Sequence, residues 1–299
     1  MGAGGHPAVQ GLEPLTAPIG IADSGDVLTV GLRRDGPHGL VAGTTASGKS
    51  ELLQTLLAGL AATHAPDRLG LVLVDYKGGA AFSDMARLPH TLGVVTDLDD
   101  RLAHRALVSL NSELRRRERV LRSADVPNIA EYERTADAAR RPLPNLLIVV
   151  DEMATLVQEV PGFVDALVDV AQRGRSLGVH LLLSTQSPGG VVSPKIQANL
   201  NLWICLRVTL ASESQAVIGS DLAAAIPVNQ PGRGYLKVGG RLTGFRAVRV
   251  TRPAGSSTRS QVRVSPFADD RPPHARPGPC GGPTGAAPRR RTEARLLVD

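Results

Sequence analysis

The sequence predicts an α/β fold: a mostly parallel sheet flanked by helices, with a disordered tail behind it. Three observations carry that expectation. Short runs such as Leu40–Ala42, Leu69–Val74, Leu146–Val150 and Val179–Ser184 are apolar almost throughout instead of alternating, which marks strands buried on both faces. Helical spacing separates them: Leu52, Leu53, Leu56, Leu57 and Leu60 share one face, and Leu98, Leu102, Ala106, Leu110, Leu114 and Leu121 share another. Hydrophobic residues make up 42% of the chain and aromatics only 3%, so the core must be aliphatic.

Residues 1–18 are rich in Gly, Pro and Ala and read as a flexible lead-in. Ile19–Leu32 alternates around Asp23-Ser24-Gly25-Asp26, the pattern of a β-hairpin, and Asp35-Gly36-Pro37 turns the chain into the Leu40 strand. Gly93–Thr96 is a short strand. Residues 126–144 are polar and Pro-containing, a short helix within a loop. Phe163–Leu177 forms a helix stopped by Gly178. Leu202–Val208 is a strand, Ala211–Ile218 a short helix, and Gly234–Val238 with Phe245–Val250 two edge strands. One domain therefore spans 19–250. Residues 251–299 hold eight Pro, five Gly and scattered Arg, too little apolar surface to offset the cost of ordering, and read as disordered.

The formal charge of +6 belongs mostly to that tail, where nine Arg face four acids; residues 1–250 carry a net +1. Bulk charge alone therefore does not make this a nucleic-acid binder. Arg115, Arg116, Arg117, Arg119 and Arg122 end a helix that starts acidic, an order that complements the helix dipole and reads as a solvated face. The two cysteines, Cys205 and Cys280, offer neither a disulfide framework nor a metal spacing, which fits a reducing cytosol. No run of 18 apolar residues occurs and the N-terminus lacks a signal-peptide layout, so the expectation is a cytoplasmic chain that reaches a membrane only through other subunits.

Two motifs carry chemistry. Gly43, Gly48, Lys49 and Ser50 fit G-x-x-x-x-G-K-[ST] between a strand and a helix. Small residues let the backbone curl its N–H groups around a polyphosphate, Lys49 adds a point charge, and the Ser50 hydroxyl offers a Mg²⁺ ligand. About a hundred residues downstream, the aliphatic strand Leu146–Val150 runs into Asp151 and Glu152. Two carboxylates at a strand tip suit a Mg²⁺–nucleotide site: Asp151 for the metal and Glu152 as general base. Thr185-Gln186 ends a neighbouring strand, placed to contact a γ-phosphate or the attacking water. Asp75 and Lys77 end another.

The wording around these motifs, GPHGLVAGTTASGKSELLQTL, LVLVDYKGGAAF, LPHTLGVVTDLD, LIVVDE, RGRSLGVHLLLSTQSP and PGRGYLKVG, resembles the FtsK/SpoIIIE family of motor ATPases over residues 15–250. The resemblance is nearest to an actinobacterial branch that includes type VII secretion ATPases. It implies a RecA-like core, a homo-oligomeric ring (typically a hexamer), and ATP with Mg²⁺ as cofactors. The phosphate contacts it implies are Gly43, Thr44, Thr45, Ala46, Ser47, Gly48, Lys49 and Ser50, with Asp151 serving the metal, Glu152 the water, and Gln186 acting as sensor. Ala46 stands where relatives often have Gly. Where relatives commonly read N-L-R-I, this chain has Asn201-Leu202-Trp203-Ile204; if that Arg acts in trans, Arg207, Arg175 and Arg173 are the substitutes. The family prior favours a DNA translocase moving duplex DNA. The alternatives are a type VII protein-export ATPase acting on a secreted protein substrate, and an ATP-binding subunit with weak hydrolysis, motivated by Trp203.

Overall fold

Buried aliphatic runs and amphipathic helices build a layered α/β unit in the computed structural model, which describes residues 15–75, 81–96, 100–159, 161–190, 197–250 and 296–297. The chain opens with a hairpin of β1 (Thr16–Ala22) and β2 (Val27–Gly31), and β3 (His38–Ala42) leads into α1 (Lys49–Thr63). Next come β4 (Leu69–Asp75), β5 (Thr91–Thr96), α2 (Asp100–Ser123), two short helices α3 (Ile129–Tyr132) and α4 (Ala136–Arg140), and β6 (Asn145–Val150). Helices α5 (Met153–Glu159) and α6 (Pro161–Leu177) precede β7 (Val179–Thr185). The remainder holds β8 (Leu202–Leu206), α7 (Ala211–Ile218), β9 (Arg233–Val238), β10 (Arg241–Ala247) and β11 (Arg249–Val250).

Ten strands pair in the order β2-β1-β10-β9-β8-β3-β7-β6-β4-β5. From β8 to β5 every pairing is parallel, whereas β9, β10, β1 and β2 extend the sheet antiparallel. Every residue of β3, β6 and β7 is buried, as strands covered on both faces require. The period of two divides their side chains between two cores. Leu147 and Val149 join Leu52, Leu53, Leu56, Leu57 and Leu60 of α1 on one face. Ile148 and Val150 join Leu114 and Leu121 of α2 and Leu167, Val170 and Leu177 of α6 on the other.

Several boundaries differ from those expected. Leu15 is buried and β1 begins at Thr16, because it pairs with both β2 and β10; the ordered unit starts before residue 19. Helix α5 was not expected, since Met153–Glu159 is short and follows the acidic strand tip directly. The span 245–250 is split: β10 joins β9 and β1, while Arg249–Val250 pairs antiparallel with Leu296–Leu297, an apolar pair in the otherwise polar tail expected to be disordered. The rest of the expected tail, the lead-in up to residue 14, Lys77 and Cys280 lie outside the described residues.

One helix side chain contradicts the solvated-face reading. Arg117 is 1% exposed. Its guanidinium donates to the carbonyls of Leu177 at 2.9 Å and Pro144 at 2.7 Å and to Glu113 at 2.8 Å, tying α2 to the entries of β6 and β7.

At the same end of the sheet, His38 and His180 are buried beside each other on β3 and β7. The Leu181 N–H donates to His38 Nδ1 at 3.1 Å, and His180 Nδ1 lies 3.2 Å from the Pro37 carbonyl. Burial lowers His38 to about 4 and His180 to about 3, from 6.5. Both rings are neutral when folded, while the unfolded chain takes up protons near pH 6.5. Stability is therefore fully present above that pH and is lost as pH falls from there toward 4, by about 1.4 kcal/mol per pH unit per histidine. Urea midpoints between pH 7.5 and 4.5 are expected to fall steadily; a flat profile would mean that these rings titrate as in water.

Candidate functional site

The carboxyl ends of β3, β6, β7 and β8 meet at one edge of the sheet. Parallel register sets Ala42 beside Thr185 on one side and Cys205 on the other. The chain leaving β3 is caught there: Gly43 N–H donates to the Thr185 carbonyl at 3.2 Å, and Thr44 N–H to the Arg207 carbonyl at 2.9 Å. Ser47 N–H closes a turn onto the Thr44 carbonyl at 3.1 Å. Gly43 has no room for a side chain, since a Cβ would lie 2.5 Å from Ser47 Oγ. Gly48 adopts φ +94°, a left-handed conformation that glycine takes without cost, and α1 begins at Lys49 with no side-chain cap.

These bonds divide the loop in two. The N–H groups of Gly43 and Thr44 bond neighbouring segments, and that of Ser47 bonds within the loop. The N–H groups of Thr45, Ala46 and Gly48 have no acceptor among the described residues, and the uncapped first turn of α1 adds its dipole. Ser47 Oγ is buried without a partner. This is the donor arrangement of an anion cradle at a helix N-terminus.

Lys49, Asp151 and Ser184 form the buried polar centre. Lys49 Nζ donates to the Asp151 carbonyl at 2.8 Å, to Asp151 Oδ1 at 3.3 Å and to Ser184 Oγ at 2.7 Å, which uses all three of its protons. Beside it Glu152 is only 2% exposed. Three donors converge on its Oε1: Thr185 Oγ1 at 3.3 Å, Ala154 N at 3.3 Å and Gln186 N at 3.4 Å. The carboxamide of Gln186 accepts from Thr45 Oγ1 at 2.9 Å, so the phosphate loop and Glu152 are joined through one residue. Ser50 sits half-buried in the first turn of α1. The expected site residues are thus brought together.

This set fits a Mg²⁺-bound polyphosphate. The loop offers unused N–H donors, Lys49 a cation, and Asp151 and Ser50 the hard oxygen ligands that Mg²⁺ takes. Bound Mg²⁺ would supply charge neutralisation at the phosphates. No group of three or more His, Cys, Asp or Glu among the described residues is placed to hold a metal. Burial pushes the Cys205 thiol up to about 12, which leaves it a packing residue.

Other expected residues lie elsewhere or are already engaged. Asp75 ends β4, buried, and accepts from Ala81 N–H at 3.2 Å. Trp203 lies within β8, across from Leu40 and Lys237, half-buried against the α2–α6 core. Of the candidate arginines, Arg207 donates to the Thr45 carbonyl of its own loop at 3.3 Å. Arg173 pairs with Asp169 and Glu118. Arg175 is exposed on α6 and has no ion pair among the described residues.

The family model of the FtsK/SpoIIIE family matches residues 10–190. An ESX secretion system protein EccC of Geobacillus thermodenitrificans (strain NG80-2) is 42% identical over 231 residues, covering 75% of this chain and 16% of the relative. The fold matches the cytoplasmic domain of the Thermomonospora curvata type VII secretion ATPase EccC with a TM-score of 0.76 and 36% identity, covering 84% of this chain and 31% of that one. It also matches ATPases 2 and 3 of the Thermomonospora curvata EccC in complex with a signal sequence peptide, with a TM-score of 0.71 and 26% identity, covering 86% and 46%. The chain thus spans about one sixth of the curated relative's length. No described helix is long and apolar enough to cross a membrane.

The loop also carries strain. Ala46 has φ +63°, where a Cβ crowds the backbone and glycine does not. Alanine therefore occupies this position at a cost in backbone strain. Ala46→Gly is expected to raise unfolding stability by about 0.5–1.5 kcal/mol, read as a higher urea midpoint at unchanged slope. A lower midpoint would mean that the loop relaxes alanine into an ordinary conformation.

Proposed function

This chain belongs to the FtsK/SpoIIIE family of ATPases, and from that premise we propose that it is an ATP-hydrolysing module of a type VII protein-export motor. The observation that carries the chemistry is the buried Lys49–Asp151 pair beside Glu152, facing a loop with unused N–H donors. Lys49 would hold the phosphates, and Asp151 with Ser50 would hold the Mg²⁺ ion, which would neutralise phosphate charge. Glu152, its carboxylate already oriented by Thr185, Ala154 and Gln186, takes the proton of the attacking water. Gln186 reports on the loop through Thr45. A homo-oligomeric ring, with a neighbour's arginine completing each site, follows from the family's design; Arg175 is the uncommitted candidate.

Protein cargo is favoured over the duplex DNA first expected. The secretion ATPase relative is 42% identical across three quarters of the chain, and a related structure holds a signal sequence peptide. Residues 1–250 carry a net charge of only +1, against the phosphate-neutralising surface a DNA pump needs. Any link to a membrane runs through other subunits or segments.

Glu152→Gln is expected to lower ATP turnover by about a hundredfold or more while nucleotide affinity stays within about threefold. Unchanged turnover would remove Glu152 from its role. For the cargo, a synthetic C-terminal signal of a small helical secretion substrate is expected to bind the purified chain or stimulate its turnover. Stimulation by long duplex DNA at low salt, fading as salt rises, would instead restore the DNA reading.

A further inference from the structure

The turn that enters β9 meets the phosphate loop at its tightest point. Gly232 N–H donates to the Ser47 carbonyl at 2.8 Å. The two backbones are so close that a Cβ on Gly48 would lie 2.8 Å from the Gly232 nitrogen and 3.2 Å from its Cα. Both glycines are left-handed, with φ +94° at Gly48 and +78° at Gly232. A trans peptide points its C=O and its N–H in opposite directions. With the Ser47 carbonyl turned out to Gly232, the N–H of Gly48 is turned the other way, toward the inside of the loop.

Gly232 is itself held by the antiparallel half of the sheet. Its carbonyl accepts from Ala247 N–H at 2.8 Å at the end of β10. Its neighbour Arg233 pairs with Asp23 in the β1–β2 turn. The next residue after Ala247, Val248, accepts from Thr55 Oγ1 of α1 at 2.9 Å. Among the described residues the sheet extension thus reaches the loop through a single hydrogen bond.

We propose that Gly232 is a positioning residue for nucleotide: its N–H fixes the Ser47–Gly48 peptide so that Gly48 N–H is aimed at a phosphate oxygen before binding. The proposal rests on the loop being the nucleotide site. Affinity gains because the peptide orientation is set in advance and is not ordered at the moment of binding.

Two variants of the full chain, titrated with a fluorescent ADP analogue and Mg²⁺, separate positioning from folding. A Cβ at 232 would meet nothing closer than Ala247 Cβ at 3.5 Å, so substitution acts through backbone conformation and not through a clash. Gly232→Val cannot hold φ +78° and is expected to weaken binding by about tenfold or more. Gly232→Asn, which tolerates the left-handed region and keeps the N–H, is expected to stay within about threefold of the parent. Equal binding by Gly232→Val and the parent overturns this proposal alone. Absence of binding by the parent chain overturns the nucleotide reading and this proposal with it. Should Gly232→Val fail to fold, amide hydrogen exchange on the parent decides. The Gly232 amide is expected to exchange more slowly on addition of Mg²⁺ and ADP, and unchanged exchange overturns the proposal.

Discussion

As it leaves β3 the phosphate loop is caught by two backbone hydrogen bonds, Gly43 N–H on the Thr185 carbonyl and Thr44 N–H on the Arg207 carbonyl. Both require β3 to lie between β7 and β8 in a register that sets Ala42 beside Thr185 and Cys205. Register in a sheet buried on both faces is strongly fixed, because a slip of one residue exchanges the two cores. Here a slip of β3 would carry Leu40 and Ala42 into the layer that packs on α1. The same register brings β6 alongside β7, so Asp151 and Glu152 emerge next to Ser184 and Thr185. The site is a consequence of packing: six parallel strands align their carboxyl ends, and the polar residues that interrupt the aliphatic runs collect there.

At that edge the chain buries charge. Lys49 and Asp151 are 5% and 7% exposed, and each would be costly alone. Together, with Ser184 and the Asp151 carbonyl satisfying the remaining protons of the ammonium, they neutralise each other. Removing one partner of such a pair typically costs about 3–5 kcal/mol, because the other is left uncompensated. A ligand that replaces Asp151 at the ammonium must therefore bring its own negative charge, and it must offer Asp151 a cation in return. A polyphosphate carrying Mg²⁺ meets both conditions; an uncharged ligand meets neither. Selectivity for that chemistry is built into the resting pair.

What the sequence made legible was local. The phosphate loop, the aliphatic strand running into Asp151-Glu152 and the Leu stripe of α1 are patterns of adjacent residues, and the structure places them together. Contacts made across the fold were not legible. Arg117 sat among arginines that read as a solvated face, and only the ends of β6 and β7 packed beneath it reveal why it is buried; the signal available was Glu113 one helical turn earlier. Nothing near Gly232 in the sequence marks its bond to Ser47, because that contact spans most of the chain. The strain at Ala46 is likewise hidden in the sequence, which carries no φ. Helix α5 escaped notice because it is too short for periodicity to declare it.

The arginines of α2 bear on the duplex-DNA expectation. Clustered in sequence, they resemble a surface that grips phosphates. In the fold, Arg116 and Arg117 both bond Glu113, and Arg117 is sealed against the carbonyls of β6 and β7 entries. Arg119 turns its Nε to the Arg115 carbonyl of its own helix. On α6, Arg173 is shared between Asp169 and Glu118. Cations engaged inside the subunit release few counterions when a duplex approaches, so they add little to DNA affinity. The charge that makes the sequence look like a nucleic-acid binder is thus spent partly on holding helices to the sheet and lies partly in residues 251–299. That distribution leaves few of these α2 and α6 arginines free to grip phosphates.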